Sequence, residues 1–368
     1  MDSPTLHANP LPASLNEAFT PALLLDVPTL KRNLARMAEA VRRNNVAFRP
    51  HMKTAKCIEV ARMATQGQAG GITVSTMAEA EYFFAHGYKD ILYTVAIVPS
   101  KLSRVAALRA AGCDLKIVTD NVEVAAAIAA HGAKFRVLIE LDSGSARAGI
   151  DAADPALLAV AKALGPHLAG IMTHGGHSYG ARDSDSAANV AEQERKAATQ
   201  AADILRAAGC VVGIVSIGSS PGALNARGLA GVTEVRAGVY MFQDLMQATI
   251  GACELADLAC TVLASVVKVR SDDTVLIDAG ALALSADKGF GDTGLGRLAL
   301  LDGTPTEGIV QRVWQEHGLV SPVSGLKVGD KVRILPVHVC HTAAGHNRYL
   351  LTEGGAAITG AWDRMGGW

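Results

Sequence analysis

Between residues 21 and 244 one pattern repeats: a short run of apolar, often β-branched residues, then a longer stretch whose apolar positions recur at three- and four-residue spacing. The short runs are PALLLD, NVAFRP, GITVS, DILYT, LKIVT, FRVLIELD, LAGIMTHGG, VVGIVSIG and GVTEVRAG. The longer ones include VPTLKRNLARMAEAVRR, TMAEAEYFFAHG and AANVAEQERKAATQAADILRAAG, and several stop at a glycine, as helices do. Strands alternating with helices of this length must run parallel. About eight such units in series predict an α/β fold, a (β/α)8 TIM-like barrel, although an open doubly wound sheet has the same alternation. Beyond Asp244 the texture changes to short β-like segments (ACTVLASVVKVRS, TVLIDAG, LKVGDKVRILPVHVCHT, HNRYLLTEG) with one helical piece, TPTEGIVQRVWQEHG. The expected organisation is therefore a barrel over 20–248 and a smaller β-rich domain made of 1–19 and 249–368.

Composition narrows the class. The 368 residues are 49% hydrophobic and 19% charged, as in a globular, core-rich protein, and at 4% aromatics the helices pack through small residues. A formal net charge of −1 gives no electrostatic case for nucleic acid or an anionic membrane. No long uncharged apolar run reads as a membrane span, and MDSPTLHANPLPASLNEAF has no basic-then-apolar leader pattern. Six scattered cysteines without paired spacing fit reduced thiols, so the expectation is a cytoplasmic enzyme.

The unusual residues collect at strand ends, where a barrel keeps its reactive groups. RPHMKTAK (49–56) delivers Pro50, His51, Lys53 and Lys56 directly after a strand. Solvated lysines explain it blandly; a lysine held out of water can form a Schiff base. THGGHSYG (173–180) brings His174, His177 and Tyr179 around a glycine pair, which favours a ligand pocket. In SIGSSPGA (216–223), Gly218, Ser219 and Ser220 can offer backbone N–H groups and hydroxyls to a phosphate, although such residues also make an ordinary turn. RAGVY (236–240) adds a second glycine-exposed backbone. In HVCHTAAGH (338–346), His338 and Cys340 would share one face of a strand, and imidazole with thiolate suits Zn²⁺. A buried cysteine beside a surface histidine would leave the same letters. On a regular strand His341 faces the other way, and His346 lies past a turn.

RPHMKTAK resembles the Pro-His-x-Lys-Thr/Ala-x-Lys segment of the D-serine dehydratase and D-threonine aldolase family, pyridoxal-phosphate enzymes of the alanine-racemase-like fold. The resemblance extends through TPALLLD, LDSGSARAG, THGGHSYG, GSSPG, TEVRAGVYMFQD and HVCHTAAGH. It implies a barrel plus a β-domain, paired as a homodimer. Lys53 matches the lysine that carries pyridoxal 5'-phosphate and acts as base at the α-carbon. Arg147 matches an arginine at the cofactor's phenolic oxygen, His174 a histidine beside the ring, and Tyr179 a pocket residue. Ser219, Ser220, Gly238 and Val239 fall where the family holds the phosphate, and Arg236 aligns with an arginine facing the pyridine nitrogen. His338 and Cys340 match a divalent-metal pair, with Zn²⁺ the first choice and Mn²⁺ or Mg²⁺ alternatives.

The expected reaction is loss of water and ammonia from a β-hydroxy-D-amino acid such as D-serine, giving a 2-oxo acid. Cysteine rather than aspartate at position 340 leans away from the alternative, retro-aldol cleavage to glycine and an aldehyde. No counterpart of the racemases' second base is evident. Two further rivals are a non-catalytic pyridoxal-phosphate carrier, which would not need the C-terminal β-domain, and a metal-only barrel hydrolase, which would not need Lys53.

Overall fold

The computed structural model describes residues 11–270, 273–289 and 291–368. The first ten residues, part of the segment read as lacking a leader and assigned to the β-rich domain, lie outside these. Strand β1 (Ala22–Asp26) does not join the barrel, although its sequence reads like the barrel strands. It pairs antiparallel with β10 (Cys260–Val269) and parallel with β16 (Arg348–Thr352). A central strand buried on both faces shows the same apolar run in either setting, and its partners are far away in sequence.

The chain divides into two compact units. One contains Arg32–Met241, Gln247–Glu254 and Met365–Trp368. It is built on eight parallel strands: β2 (Ala47–Pro50), β3 (Ile72–Val74), β4 (Asp90–Ala96), β5 (Asp114–Thr119), β6 (Val137–Leu141), β7 (Leu168–Thr173), β8 (Ile214–Ile217) and β9 (Glu234–Ala237). Their order is β2-β9-β8-β7-β6-β5-β4-β3. The two edges meet just past β2, where His51 bridges to Thr73 and the Met52 N–H donates to the Thr73 carbonyl at 2.8 Å. The expected barrel is therefore present and nearly closed.

Local chemistry starts its helices where the periodicity predicts. Thr76 Oγ1 accepts the Glu79 N–H at 3.0 Å while Glu79 reaches back to the Ser75 N–H, a reciprocal cap. Asn121 and Asp183 cap two further helices by accepting from the Val124 and Ser186 N–H groups. Inside the sheet Arg49, 3% exposed, is gripped by Glu234 at 2.9 Å and Asp90 at 2.7 Å. Burial alone would lower its affinity for the proton, but the two carboxylates raise it above the ordinary value. Two residues beyond Asp90 and Lys116, Leu92 and Val118 join Leu138 and Met172 in one buried cluster.

The other unit contains the described residues up to Lys31 together with Phe242–Met246 and Leu255–Arg364. Its sheet is antiparallel apart from the β1–β16 pair, and it adds β11 (Val275–Ile277), β12 (Arg297–Ala299), β13 (Pro305–Val313), β14 (Gly318–Ser321), β15 (Lys331–Leu335) and β17 (Gly360–Asp363). The order is β11-β14-β13-β12-β15-β10-β1-β16-β17, and β10 also pairs with β11. Leu15, Ala18, Leu24, Leu263 and Ile358 form a core on it. TPTEGIVQRVWQEHG, read as a helix, is strand β13 and the turn into β14. Its apolar Ile309 and Val310 are claimed by β12 and β14, cross-strand partners that no local pattern displays. No helix among the described residues is long and apolar enough to cross a membrane.

Candidate active site

The polar strand ends of the barrel unit come together on one arc of its rim. Lys53 follows β2, Gly238 and Val239 follow β9, Ser219 and Ser220 follow β8, His174 and Tyr179 follow β7, and Arg147 follows β6. In the sheet order these five strands are consecutive neighbours.

Lys53 sits in the turn after β2 and is half-buried. Its backbone N–H donates to His51 Nδ1 at 3.3 Å, which places the proton of the neutral ring on Nε2, within 3.2 Å of Thr94 Oγ1. Burial first, then the Lys53 charge, holds the His51 pKa well below its usual value. Lys56 is engaged elsewhere, paired with the fully buried Glu79 at 3.2 Å. Of the two lysines, Lys53 is the one whose charge reaches both histidines of the rim.

His174 Nδ1–H donates to the Gly218 carbonyl at 2.7 Å. Burial and the nearby Lys53 charge hold its pKa at about 3, so the ring is neutral at working pH with its lone pair on Nε2. Tyr179 stands with its ring centroid 6.4 Å from that imidazole. Arg236 is 4% exposed and donates to Ser216 Oγ and to the Thr173 carbonyl. Burial lowers its pKa, against the charges of Glu234, Glu194 and Glu140. Arg147 is mostly exposed and lies 4.0 Å from Glu140.

A backbone cradle lies between β8 and β9. Gly218 has φ +141°, and a Cβ there would stand 2.1 Å from the Arg236 carbonyl, so only glycine fits. Ser219 Oγ accepts the Gly222 N–H at 3.2 Å and a hydrogen bond from Ser178 at 2.8 Å, while Ser220 Oγ accepts the Tyr240 N–H at 3.1 Å. Under the cradle lies Glu194, fully buried. Its Oε1 accepts the Gly218 N–H at 3.1 Å, and its Oε2, beside Gly175, meets no donor in full hydrogen-bond geometry among the described residues. A Cβ on Gly175 would sit 2.4 Å from that Oε2, so the THGG loop also rests on this carboxyl. Burial pushes its pKa up to about 7, against the Gly218 N–H and the Arg236 charge.

An amine, a neutral imidazole, a buried guanidinium and hydroxyl-rich small-residue turns on one rim fit an aldehyde-bearing aromatic phosphate such as pyridoxal phosphate. Sequence reasoning missed Glu194, although a signal exists: it falls in the register of the buried Ala187, Ala191, Ala198 and Ala201 of its helix.

In the other unit the strand assumed for HVCHTAAGH is absent. Residues Val339–Ala344 form a short helix with His338, in extended conformation, at its N-cap. Two positions on a helix do not share a face as they do on a strand, so the reason given for pairing His338 with Cys340 fails. His341, expected to turn away, stacks with His338 at 4.2 Å between ring centroids. The Nδ1 atoms of both rings meet the same oxygen of Asp287, at 2.9 Å and 2.6 Å. Asp287, His338 and His341 place ligand-type atoms within 4.8 Å of one another, and Cys340, partly exposed, sits between the two histidines in sequence. Imidazole, carboxylate and thiolate suit a divalent metal. No motif marks Asp287 in the sequence.

Comparison with known proteins matches residues 25–245 to the family "Alanine racemase, N-terminal domain" and residues 259–352 to "Putative serine dehydratase domain". D-threo-3-hydroxyaspartate dehydratase of Delftia sp. (strain HT23) is 42% identical over 95% of this chain and 98% of its own. D-threonine aldolase of Arthrobacter sp. is 31% identical over 94% and 91%. The solved structure of the Delftia sp. HT23 dehydratase superposes with a TM-score of 0.92 at 40% identity, covering 97% of this chain and 100% of that one. A cysteine-to-alanine variant of a dehydratase of the same name, in the metal-free form, does so equally well at 39% identity.

Proposed function

The chain belongs to the alanine-racemase-like family of the D-serine dehydratases and D-threonine aldolases, pyridoxal-phosphate-dependent lyases, and from that premise we propose that it is an ammonia-lyase of β-hydroxy-D-amino acids, releasing a 2-oxo acid and ammonia. The observation that carries this reading is the single arc of rim on which Lys53, Ser219, Ser220, Gly238, Val239, His174, Tyr179 and Arg147 stand, with Arg236 buried beside them. Pyridoxal phosphate, when bound, supplies an electron sink for the α-carbon.

The chain's own residues do the rest. Lys53 Nζ would hold the cofactor covalently and, when its amine is free, take the α-proton. The Ser219 and Ser220 hydroxyls and the backbone at Gly238 and Val239 bind the phosphate. His174, kept neutral and fixed by Gly218, would lie against the ring without adding charge, and Arg147 and Arg236 would serve its phenolic oxygen and nitrogen. Tyr179 closes the pocket. His338 and Cys340 would hold a divalent cation, with Zn²⁺ the first choice, which would supply positive charge for a departing hydroxyl. Asp287, by accepting the Nδ1 proton of His338, fixes the tautomer that presents Nε2 to a metal. The metal-free form of a cysteine variant among the relatives supports a cysteine in that role. The same reading makes the working enzyme a cytoplasmic homodimer, which light scattering tests.

The aldolase relative keeps retro-aldol cleavage as the second reading. The deciding experiment incubates the holoenzyme with D-serine, D-threonine and D-threo-3-hydroxyaspartate and quantifies 2-oxo acid against glycine, with and without a chelator. Chelator-sensitive 2-oxo acid is expected; glycine as the main product would replace the dehydratase by an aldolase.

A further inference from the structure

Four glutamates among the described residues are buried, and three of them have a cation at hand. Glu79 pairs with Lys56 at 3.2 Å, Glu234 with Arg49 at 2.9 Å, and Glu140 lies 4.0 Å from Arg147. Glu194 is fully buried and forms no ion pair among the described residues. A carboxylate held out of water without a cation is costly, and such a group relieves the cost by taking a proton.

Glu194 also stands where a second anion is expected. Its Oε1 takes the Gly218 N–H at 3.1 Å, and the Gly175 N–H acts on the same carboxyl, so one side chain ties the cradle loop to the loop of His174. A Cβ on Gly222 would stand 3.4 Å from Glu194 Oε2 and 2.8 Å from Ser219 Oγ. Carboxyl and cradle hydroxyl thus reach the same point.

Little around it can neutralise a charge. Its helix, Ser184–Ala207, packs on β7, β8 and the helix Ser220–Asn225, none of which carries a titratable side chain. The loop and turn after β7 bring His174, which is neutral, His177, bonded to Gln193, and Tyr179. The loop after β6 brings Asp142, whose carboxylate is held by the Gly144, Ser145 and Ala146 N–H groups. The helix Ala156–Leu164 has only Lys162, which is exposed. On the helix of Glu194 itself, Glu192 pairs with Arg195 and Lys196. From β9, Glu234 is taken by Arg49, and Arg236 acts on Glu194 through its charge while its donors bond Ser216 and the Thr173 carbonyl.

We propose that Glu194 is a positioning residue that makes the cradle proton-linked: it ties Gly218 to Gly175 and takes up a proton from solvent when a phosphate dianion settles on Ser219 and Ser220. This rests on the assignment of the cofactor's phosphate to that cradle. Burial already brings the pKa of Glu194 up to about 7, and a like charge beside it pushes further the same way.

The test titrates the cofactor-free full chain with pyridoxine 5'-phosphate, which has the phosphate but no aldehyde, in calorimetry buffers of different ionisation heat. Wild type is compared with Glu194→Gln, so that protons gained by the ligand or by other residues cancel. For a rise of one pH unit in the pKa on binding, wild type takes up about half a proton more than the variant at pH 7.5. The ratio of its dissociation constant to the variant's grows about eightfold from pH 6 to pH 9. Infrared difference spectra at pH 8 need no variant and should show a protonated-carboxyl band appearing in wild type as the ligand binds. Equal proton uptake with a flat ratio, the mark of a merely structural role, would overturn the proposal and leave the cofactor reading intact, as would the absence of that band. Should pyridoxine phosphate not bind wild type, the cofactor reading fails by itself. Inorganic phosphate, titrated in the same way, then judges Glu194, and a wild type indistinguishable from Glu194→Gln rejects its role.

Discussion

Replacing Glu194 by glutamine should make the protein more stable at alkaline pH and leave it little changed at acid pH. The side chain is fully buried, with one oxygen on the Gly218 N–H and the other against Gly175. Burial is the dominant influence and pushes its pKa from 4.5 to about 7. The folded state therefore holds the proton more tightly than the unfolded chain. Below about pH 4.5 both states are protonated and the associated stability is fully present. As pH rises toward 7 the unfolded chain has already lost the proton, so folding stability declines, and above about pH 7 the loss is complete. At 1.36 kcal/mol per pH unit, the rise in pKa amounts to about 3 kcal/mol. Glutamine can still accept from Gly218 but has no charge to bury. Urea unfolding of both proteins followed by circular dichroism at pH 5, 6, 7 and 8 checks this. The variant's advantage should grow by about 2.5 kcal/mol across the series, since part of the loss is already present at pH 5. A constant offset, or a wild type that gains on the variant as pH rises, would mean that Glu194 is ionised throughout and the reasoning is wrong.

Other expectations follow from the same geometry. Arg49→Met leaves the buried Glu234 carboxylate without its partner and should cost about 3–5 kcal/mol by denaturant unfolding; a cost below 1 kcal/mol would show the ion cluster to be dispensable. Asp287→Asn removes the charge from the acceptor shared by His338 and His341, and should weaken metal binding about 10–100-fold in a competition titration with a chromophoric chelator. Unchanged affinity would remove Asp287 from the site.

The barrel was legible because its strands, helices and glycine stops recur locally, and local signals sufficed to place Lys53, His174, Ser219 and Gly238 at strand ends. What escaped depends on distant partners. ALLLD is an equally good strand for either unit, and only β10 and β16 decide its sheet. GIVQRV carries helix-like spacing yet is taken into a sheet by two neighbouring strands. HVCH alternates like a strand, but the alanines and glycine that follow let it turn as a helix, which brings His341 beside His338 as well. Arg364 reads like a surface arginine, yet it is buried, and no sequence pattern records that.

The central claim is that Lys53 alone carries the cofactor. Borohydride reduction of the holoenzyme followed by peptide mass mapping tests it directly. The account predicts a single pyridoxyl-phosphate adduct on Lys53, with Lys56 unlabelled and none in Lys53→Ala. An adduct on Lys56 or any other lysine, or a Lys53→Ala protein that still traps the cofactor, would contradict it.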